Sequence, residues 1–164
     1  MAKITFPGLT EYEQQISRLG QNAQQMAGKA IYAGAEIIAD AIRANIQRIS
    51  ASSDRTGLYA YAKQDPPPLT ESAKKGLLDG LGIAPLQDDN GYMNVKVGFD
   101  GYNDLRTEKY PKGQPNVMIA RSLESGSSIA PKRPFVRPAV TNSRKLAEAK
   151  MAEVLDAEMK KIME

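Results

Sequence analysis

The 164-residue sequence contains no cysteine and no histidine. Without cysteine the chain can form no disulfide, no thiolate zinc site and no cysteine nucleophile. Without histidine it lacks the commonest general base and the commonest metal ligand, so neither a hydrolytic triad nor a histidine-based metal site can be built. We therefore expect a protein that is not an enzyme and that has no cofactor and no metal site.

Aromatic residues are also scarce, at 6% of the chain, whereas hydrophobic residues make up 41%. This composition supplies one modest core, and the length suits a single domain over residues 1–164. The net charge of +3 is mildly basic and well short of a typical nucleic-acid-binding protein. The N-terminus lacks the apolar run that is typical of a signal peptide. No stretch of the sequence approaches the roughly 20 apolar residues that span a bilayer. We expect a soluble protein with no membrane contact.

The N-terminal third carries two helical patterns. Thr10 and the glutamate three residues later have capping-box spacing, which predicts a short helix that stops at Gly20. A long helix is predicted over residues 22–49, where apolar side chains recur at three- and four-residue steps. Gly28 and Gly34 lie inside that helix, and we expect close approach of another backbone to compensate for their cost.

A loop is predicted over residues 51–69. This segment contains serine, glycine and three consecutive prolines, and its apolar residues follow neither a helical nor a strand periodicity. We expect this loop to become ordered against a neighbouring subunit. A helical turn should follow it, with Thr70 or Ser72 as its N-cap.

A β-hairpin is predicted next. The Asn-Gly pair at 90–91 separates two candidate strands, at 82–86 and 92–99, and Asn-Gly is the strongest short-range hairpin signal. Pro85 confines the first of these strands to an edge position. The short apolar segment at 117–123 fits a helix slightly better than a strand.

A second long helix is predicted at the C-terminus, over residues 134–162. Its start is ambiguous, because Pro138 inside a helix would clash with the carbonyl of Pro134. Either one turn is followed by a kink, or the regular helix begins at Pro138. The predicted apolar stripe consists of Val140, Ala147, Met151, Val154, Leu155, Met159 and Ile162.

Three short polar patterns have simpler structural explanations. Ser72 begins a Ser-x-x-Lys sequence, but the companion motifs of the serine acyl enzymes are missing. Asp88 begins a calcium-loop-like sequence, but Phe99 occupies the position of the bidentate carboxylate. Asp100, Asp104 and Glu108 form a carboxylate group that we interpret as a solvated loop.

The segment at 132–150 is strongly basic. It contains six basic residues and one acidic residue, a local net charge of +5. This segment could face DNA phosphates or an acidic partner protein, or it could be an ordinary solvated helix face. Phe135 is the single aromatic residue among these charges, which weakens the case for single-strand binding.

The most informative segment, at 124–139, is a Gly/Ser loop followed by a stiffened connection to the last helix. Pro134 and Pro138 restrict Arg133 and Arg137 towards extended conformations. Phe135 is the one bulky aromatic residue in this segment, and we expect it to be buried as an anchor of the fold or, less favoured, to anchor a partner.

This segment resembles a signature of a tailed-phage family, the head–tail connector or tail-completion proteins often called gene-product-ten-like, which are distantly similar to the minor tail protein Z of lambda. Its members typically show Glu-x-Gly-Thr-Ser and then Pro-x-Arg-Pro-Phe-aliphatic-x-Pro-Ala. The corresponding positions here are Glu124, Gly126, Ser127, Ser128, Pro131, Arg133, Pro134, Phe135, Val136, Pro138 and Ala139. Ser127 stands where threonine is usual. Thr56-Gly57 and the sequence at 97–100 also look like the family's upstream pattern.

The resemblance implies an α+β fold, with a small antiparallel sheet flanked by a long N-terminal and a long C-terminal helix and with a long loop between them. Together with the residue patterns it divides the domain into N-terminal helices at 9–50, a loop at 51–69, a sheet region at 77–125 and a C-terminal helix at 134–162.

The function implied by the resemblance is that of a structural virion protein at the head–tail joint, or neck, of a phage with a long non-contractile tail. The chain would form a ring of six or twelve copies and contact neighbouring neck, portal-adaptor and tail-tube or terminator proteins. It could also contact DNA passing through the ring. Its expected location is the virion neck or tail, and the host cytoplasm during assembly.

Two alternatives remain open: a minor capsid or tail-terminator protein, and a DNA-binding accessory protein that uses the basic segment at 132–150. The candidate interface residues are Glu124, Gly126, Lys132, Arg133, Phe135, Arg137, Arg144 and Lys145.

Overall fold

The structure is a computed structural model that describes residues 9–52, 69–104, 106, 108–127 and 131–163. In these residues the elements follow one another as α1 (Leu9–Arg48), β1 (Ala51–Ser52), β2 (Leu69–Thr70), α2 (Glu71–Gly80), β3 (Leu81–Ile83), β4 (Gln87–Asp89), β5 (Tyr92–Asn94), β6 (Val97–Phe99), α3 (Asn116–Ser125) and α4 (Val136–Met163). The predicted α+β class is confirmed, with long helices at both ends and small antiparallel sheets between them.

Helices α1 and α4 pack side by side in opposite directions. The Gln15 side chain near the start of α1 donates to the carbonyl of Met163 at the end of α4, at 3.3 Å. Near the other end of the pair, Asn45 donates to the carbonyl of Phe135 at 2.8 Å. Since α4 has 28 residues, the two helices run together for about 40 Å.

Close packing between these helices explains Gly34. A Cβ atom at Gly34 would lie 2.6 Å from Cγ of Met151 and 3.5 Å from the carbonyl oxygen of Ala147. The backbone of α4 thus comes within ordinary contact distance of Gly34, but the atoms that an added Cβ would clash with belong to the Met151 side chain. At Gly28 the close neighbour is also a side chain, with Cδ2 of Leu86 in the hairpin at 3.1 Å from the added Cβ.

The predicted helix stop at Gly20 is wrong, because α1 continues through it without interruption. Gly20 does not adopt the left-handed conformation of a helix-ending glycine. A glycine inside a helix costs only about 1 kcal/mol, and the contact between Gln15 and α4 supports the turns that precede it.

The hairpin turn is confirmed. Asn90 and Gly91 have φ of 56° and 89°, the positive values that a tight two-residue turn between β4 and β5 requires. The carboxylate of Asp88 accepts a hydrogen bond from the N–H of Gly91 at 2.6 Å, which holds the turn closed.

Neither predicted strand is continuous: the one at 82–86 ends with β3 at Ile83, and the one at 92–99 is divided into β5 and β6. β3 pairs with β6, β4 pairs with β5, and Pro85 lies between β3 and β4. Pro85 has no N–H to donate to a ladder, and the N–H of Leu86 donates instead to the Tyr32 hydroxyl on α1 at 2.8 Å. This bond ties the hairpin to the side of α1.

The helical turn predicted after the loop is confirmed and extends to α2. Thr70 is its N-cap, because its hydroxyl accepts from the N–H of Ala73 at 3.1 Å, so Ser72 is not the cap. Most of the predicted loop, at 53–68, lies outside the described residues. The described ends of that loop pair as the parallel strands β1 and β2.

The start of α4 matches neither predicted alternative, because α4 begins at Val136 and Pro138 lies in its first turn. Val140 and Leu155 are exposed, at 38% and 36%, so their assignment to the buried stripe is wrong. The buried residues of α4 are Ala139, Ser143 and Ala147, of which Ala147 belongs to the predicted stripe, and Met151 of that stripe packs against Gly34 of α1.

The hydrophobic core lies where the second half of α1 meets α2, α3 and the first turn of α4. It contains Ile42, Ile46, Ala73, Leu77, Leu81, Ile119, Ala120, Leu123, Phe135 and Ala139. Helix α3 contributes three of these side chains. It covers the segment at 117–123, for which the sequence predicted a helix slightly more strongly than a strand. None of the described helices has the length and apolar character to cross a bilayer.

Candidate interaction site

A single carboxylate joins the end of α3 to the start of α4. Oε2 of Glu124 accepts the backbone N–H groups of Phe135 at 2.8 Å and of Val136 at 3.0 Å. Its Oε1 accepts the N–H of Arg137 at 3.0 Å. The next residue, Pro138, has no N–H, so the free donors at this helix N-terminus are satisfied. We call residues 124–127 and 131–138 the α3–α4 corner.

The charge of Glu124 suits this position. Burial acts to raise the pKa of its carboxyl, but the three backbone donors and the Arg137 guanidinium outweigh burial and lower the pKa. The Nε of Arg137 lies 3.7 Å from Oε1 of Glu124. The carboxylate is therefore ionised at neutral pH, where it also complements the positive end of the helix dipole.

Gly126 turns the chain at the end of α3. Its φ of +81° is a left-handed value, and a Cβ atom there would lie 3.0 Å from the backbone nitrogen of Lys132. The N–H of Arg133 donates to the carbonyl of Leu123 at 2.6 Å, which folds the connection back against α3. Residues 128–130 lie outside the described part of the chain.

Phe135 is 3% exposed, which confirms the prediction of a buried fold anchor. Its ring lies 5.8 Å from that of Phe99 on β6, with the two planes tilted by 58°. Its carbonyl accepts the hydrogen bond from Asn45 described above. Phe135 thus connects α4 to the sheet and to α1.

The structure does not bring the basic segment at 132–150 together as one surface. Arg137 and Arg144 are exposed and lie two turns apart on α4. Lys150 lies on another side of the helix and is half-buried. Lys132 and Lys145 are exposed.

Several of these cations already have acidic neighbours. Arg144 pairs with Glu148 at 2.8 Å and Lys150 with Glu153 at 3.0 Å. With the contact between Arg137 and Glu124, half of the six basic side chains have an ion-pair partner. The basic face is therefore weaker than its sequence suggests.

A cavity of about 270 Å³ lies beside the corner. It is lined by Asn45, Arg48, Ile49, Arg133, Pro134, Phe135 and Pro138. The Nε of Arg133 is buried there with no hydrogen-bond partner among the described residues, and burial lowers the pKa of its guanidinium. This arrangement can bind an anionic group.

Sequence patterns point to Arg133 but not to Arg48 or Asn45. Those two residues lie far from Arg133 in the chain and reach the cavity only because α1 packs against α4. The one signal in the sequence is that Arg48 falls on the polar side of α1.

A second cavity, of about 360 Å³, lies between α2, the residues after β6 and the start of α3. Asp100 and Asp104 lie on its wall, whereas Glu108 does not, so the three predicted carboxylates are not brought together. Lys75, on the same wall, pairs with Asp79. The part of the chain that the structure describes contains no acidic cluster that could hold a metal ion.

No protein-family model, no curated protein and no solved structure matches this chain.

Proposed function

We propose that this protein is a structural virion protein of a long-tailed phage, and that it assembles as a ring at the head–tail joint. The observation that carries the proposal is the α3–α4 corner. Three of the residues that carry the family resemblance have a physical role in it: Glu124 caps α4, Gly126 turns the chain and Phe135 anchors the corner in the core. A chance match of separate short motifs would give no reason for these residues to act together.

Several large apolar side chains are exposed among the described residues: Ile16, Tyr92, Tyr102, Val117, Met118, Val140, Leu146, Leu155 and Met163. They lie on α1, α3, α4, the hairpin and the loop after β6. Apolar residues scattered singly over a surface are ordinary, so they do not favour one function over another.

The DNA-binding alternative has less support from the geometry. A groove that follows phosphates needs unpaired cations along one face, whereas Arg144 and Lys150 pair with acids and face different sides of α4. The minor capsid and tail-terminator alternatives are compatible with the same fold, and they differ from the neck role in where the protein sits in the virion.

Inactivating the gene in the phage tests the proposal. Electron micrographs should then show filled heads and finished tails that are not joined, and the plasmid-borne wild-type gene should restore joined particles. Joined virions in normal numbers would contradict the neck role. Malformed heads would indicate a minor capsid protein, and tails of irregular length a terminator.

A further inference from the structure

Two arginine side chains at the cavity beside the α3–α4 corner have no acidic partner among the described residues. Arg48 comes from the last turn of α1 and Arg133 from the connection before α4. The Nε of Arg133 is buried without a hydrogen bond. Arg133 as a whole is only partly buried and lines the cavity beside the exposed Arg48, so two cationic side chains unpaired within the described residues face this cavity, which suits an anionic group that arrives from outside.

The cavity is held open by bonds that do not depend on an occupant. The Arg133 backbone is fixed to Leu123, and the Phe135 backbone is fixed to Asn45. Its volume of about 270 Å³ is slightly below the roughly 300–1,000 Å³ of small-molecule sites. With Ile49 and Phe135 in its wall, it fits one or two side chains that combine a carboxylate with an apolar surface.

The hairpin tip has the complementary composition. The three residues of β4 are exposed, and Tyr92 at the start of β5 is 79% exposed. The charged side chains of β4, the turn and β5 are Asp88 and Asp89, so the tip carries a charge of −2. The hydrogen bond from Gly91 to Asp88 gives this tip a fixed shape.

The tip cannot reach the cavity of its own subunit. The hairpin contacts α1 at Gly28 and Tyr32, whereas the cavity contacts α1 at Asn45 and Arg48. These levels are about 25 Å apart along the helix axis. We propose that the hairpin tip at 88–92 of one subunit docks in the arginine cavity of the next subunit, an interface that rests on the ring assembly proposed above.

The chemistry of the two surfaces supports this pairing. Arg48 and Arg133 can each bind a carboxylate in a bidentate manner, and the ring of Tyr92 can pack on the apolar wall. Because tip and cavity are different surfaces of one chain, the contact is head-to-tail, the type that closes into a ring when the rotation allows it.

The absence of cysteine from the chain permits a direct crosslinking test. Asn90→Cys places a thiol at the tip, and Ser50→Cys places one beside Ile49 at the cavity. Mixed and treated with a short bismaleimide, the two variants should give at least tenfold more crosslinked dimer than Asn90→Cys mixed with Gln24→Cys. Gln24 is exposed on the distant part of α1 and is the matched control.

Charge reversal tests the specificity of this contact. Asp89→Lys at the tip, which leaves the turn-closing bond to Asp88 in place, or Arg48→Glu at the cavity should reduce crosslinking about tenfold, and combining the two reversals should restore it. Arg48 is exposed at the end of α1, so its replacement should leave the circular dichroism spectrum unchanged. Crosslinking no greater than in the Gln24 control, or no restoration by the double reversal, would overturn the proposal.

Two further outcomes separate this inference from related ones. If Arg48→Glu abolishes retention of duplex DNA and leaves crosslinking unchanged, the cavity binds phosphate and the docking proposal is wrong. If the crosslinks fail while inactivating the gene still prevents head–tail joining, the neck function stands and the docking interface falls. If the crosslinks form but virions join normally without the gene, the docking interface stands and the neck function falls.

Discussion

The carboxylate of Glu124 accepts a 2.8 Å hydrogen bond from the backbone N–H of Phe135, although the former lies near the end of one helix and the latter just before the next. The same bond brings the Phe135 side chain to the core beside Phe99. Capping of α4 and anchoring of the corner are therefore coupled, and the stability of the subunit should depend on both residues.

Replacing Glu124 should destabilise the protein in a graded way. Glu124→Ala leaves three helix-terminal donors without their acceptor and should lower the free energy of unfolding by about 2–3 kcal/mol. Glu124→Gln retains one amide oxygen and should lower it by about 1 kcal/mol. Urea unfolding measures both values. Glu148→Gln, on the exposed face of α4, is the control and should change the value by less than about 0.5 kcal/mol.

The stability contributed by Glu124 should depend on pH. Its pKa is lower in the folded protein than in the unfolded protein. In the unfolded protein the pKa of a glutamate is about 4.3. The contribution is therefore complete above that unfolded-state value and is lost as the pH falls through the lower folded-state pKa. The difference in unfolding free energy between wild type and Glu124→Gln should be constant near neutral pH and shrink below about pH 4. A difference that stays constant through the acid range would contradict this.

Truncating the buried aromatic ring should be costly. Phe135→Ala removes a 3%-exposed side chain and should lower the free energy of unfolding by about 3–5 kcal/mol. Leu146→Ala, at a 61%-exposed position of α4, should have little effect. If Phe135→Ala leaves the melting temperature unchanged and impairs only head–tail joining, Phe135 anchors a partner instead.

Two glycine-to-alanine substitutions should change the stability of the protein in opposite directions. Gly20→Ala places a methyl group in open space within α1 and should stabilise the protein by up to about 1 kcal/mol. Gly126→Ala forces a side chain into a left-handed conformation, 3.0 Å from the Lys132 nitrogen, and should destabilise it by more than about 1 kcal/mol. Thermal unfolding of the two variants beside wild type measures both. Destabilisation by Gly20→Ala would mean that α1 needs flexibility at that point.

Arg137 should serve assembly more than folding. Its side chain is 82% exposed, so Arg137→Ala should change the free energy of unfolding by less than about 1 kcal/mol. We expect it to reduce the yield of joined particles in a complementation assay, whereas Lys112→Ala, on an exposed turn, should not. A variant that unfolds, or one that gives wild-type numbers of joined particles, would refute this role.

Local patterns in the sequence were sufficient to predict the structure wherever the interactions that determine it lie within one helix, strand pair or turn. The Asn90-Gly91 turn, the Thr70 cap and the two long helices were all predictable, because turn geometry, capping and helical periodicity act between residues close in the chain. The resemblance also drew attention to the segment at 124–139, but its residue types alone did not reveal what Glu124 does there.

Packing between distant residues decided the rest. Whether α1 stops at Gly20 depends on support from α4, and which side of α4 is buried depends on how Ala147 and Met151 pack against Gly34. The cap that Glu124 provides and the cavity of Arg48 and Arg133 both require segments from different parts of the chain to meet. Periodicity records the preferences of a single helix or strand, and such long-range contacts exist only once the elements have packed.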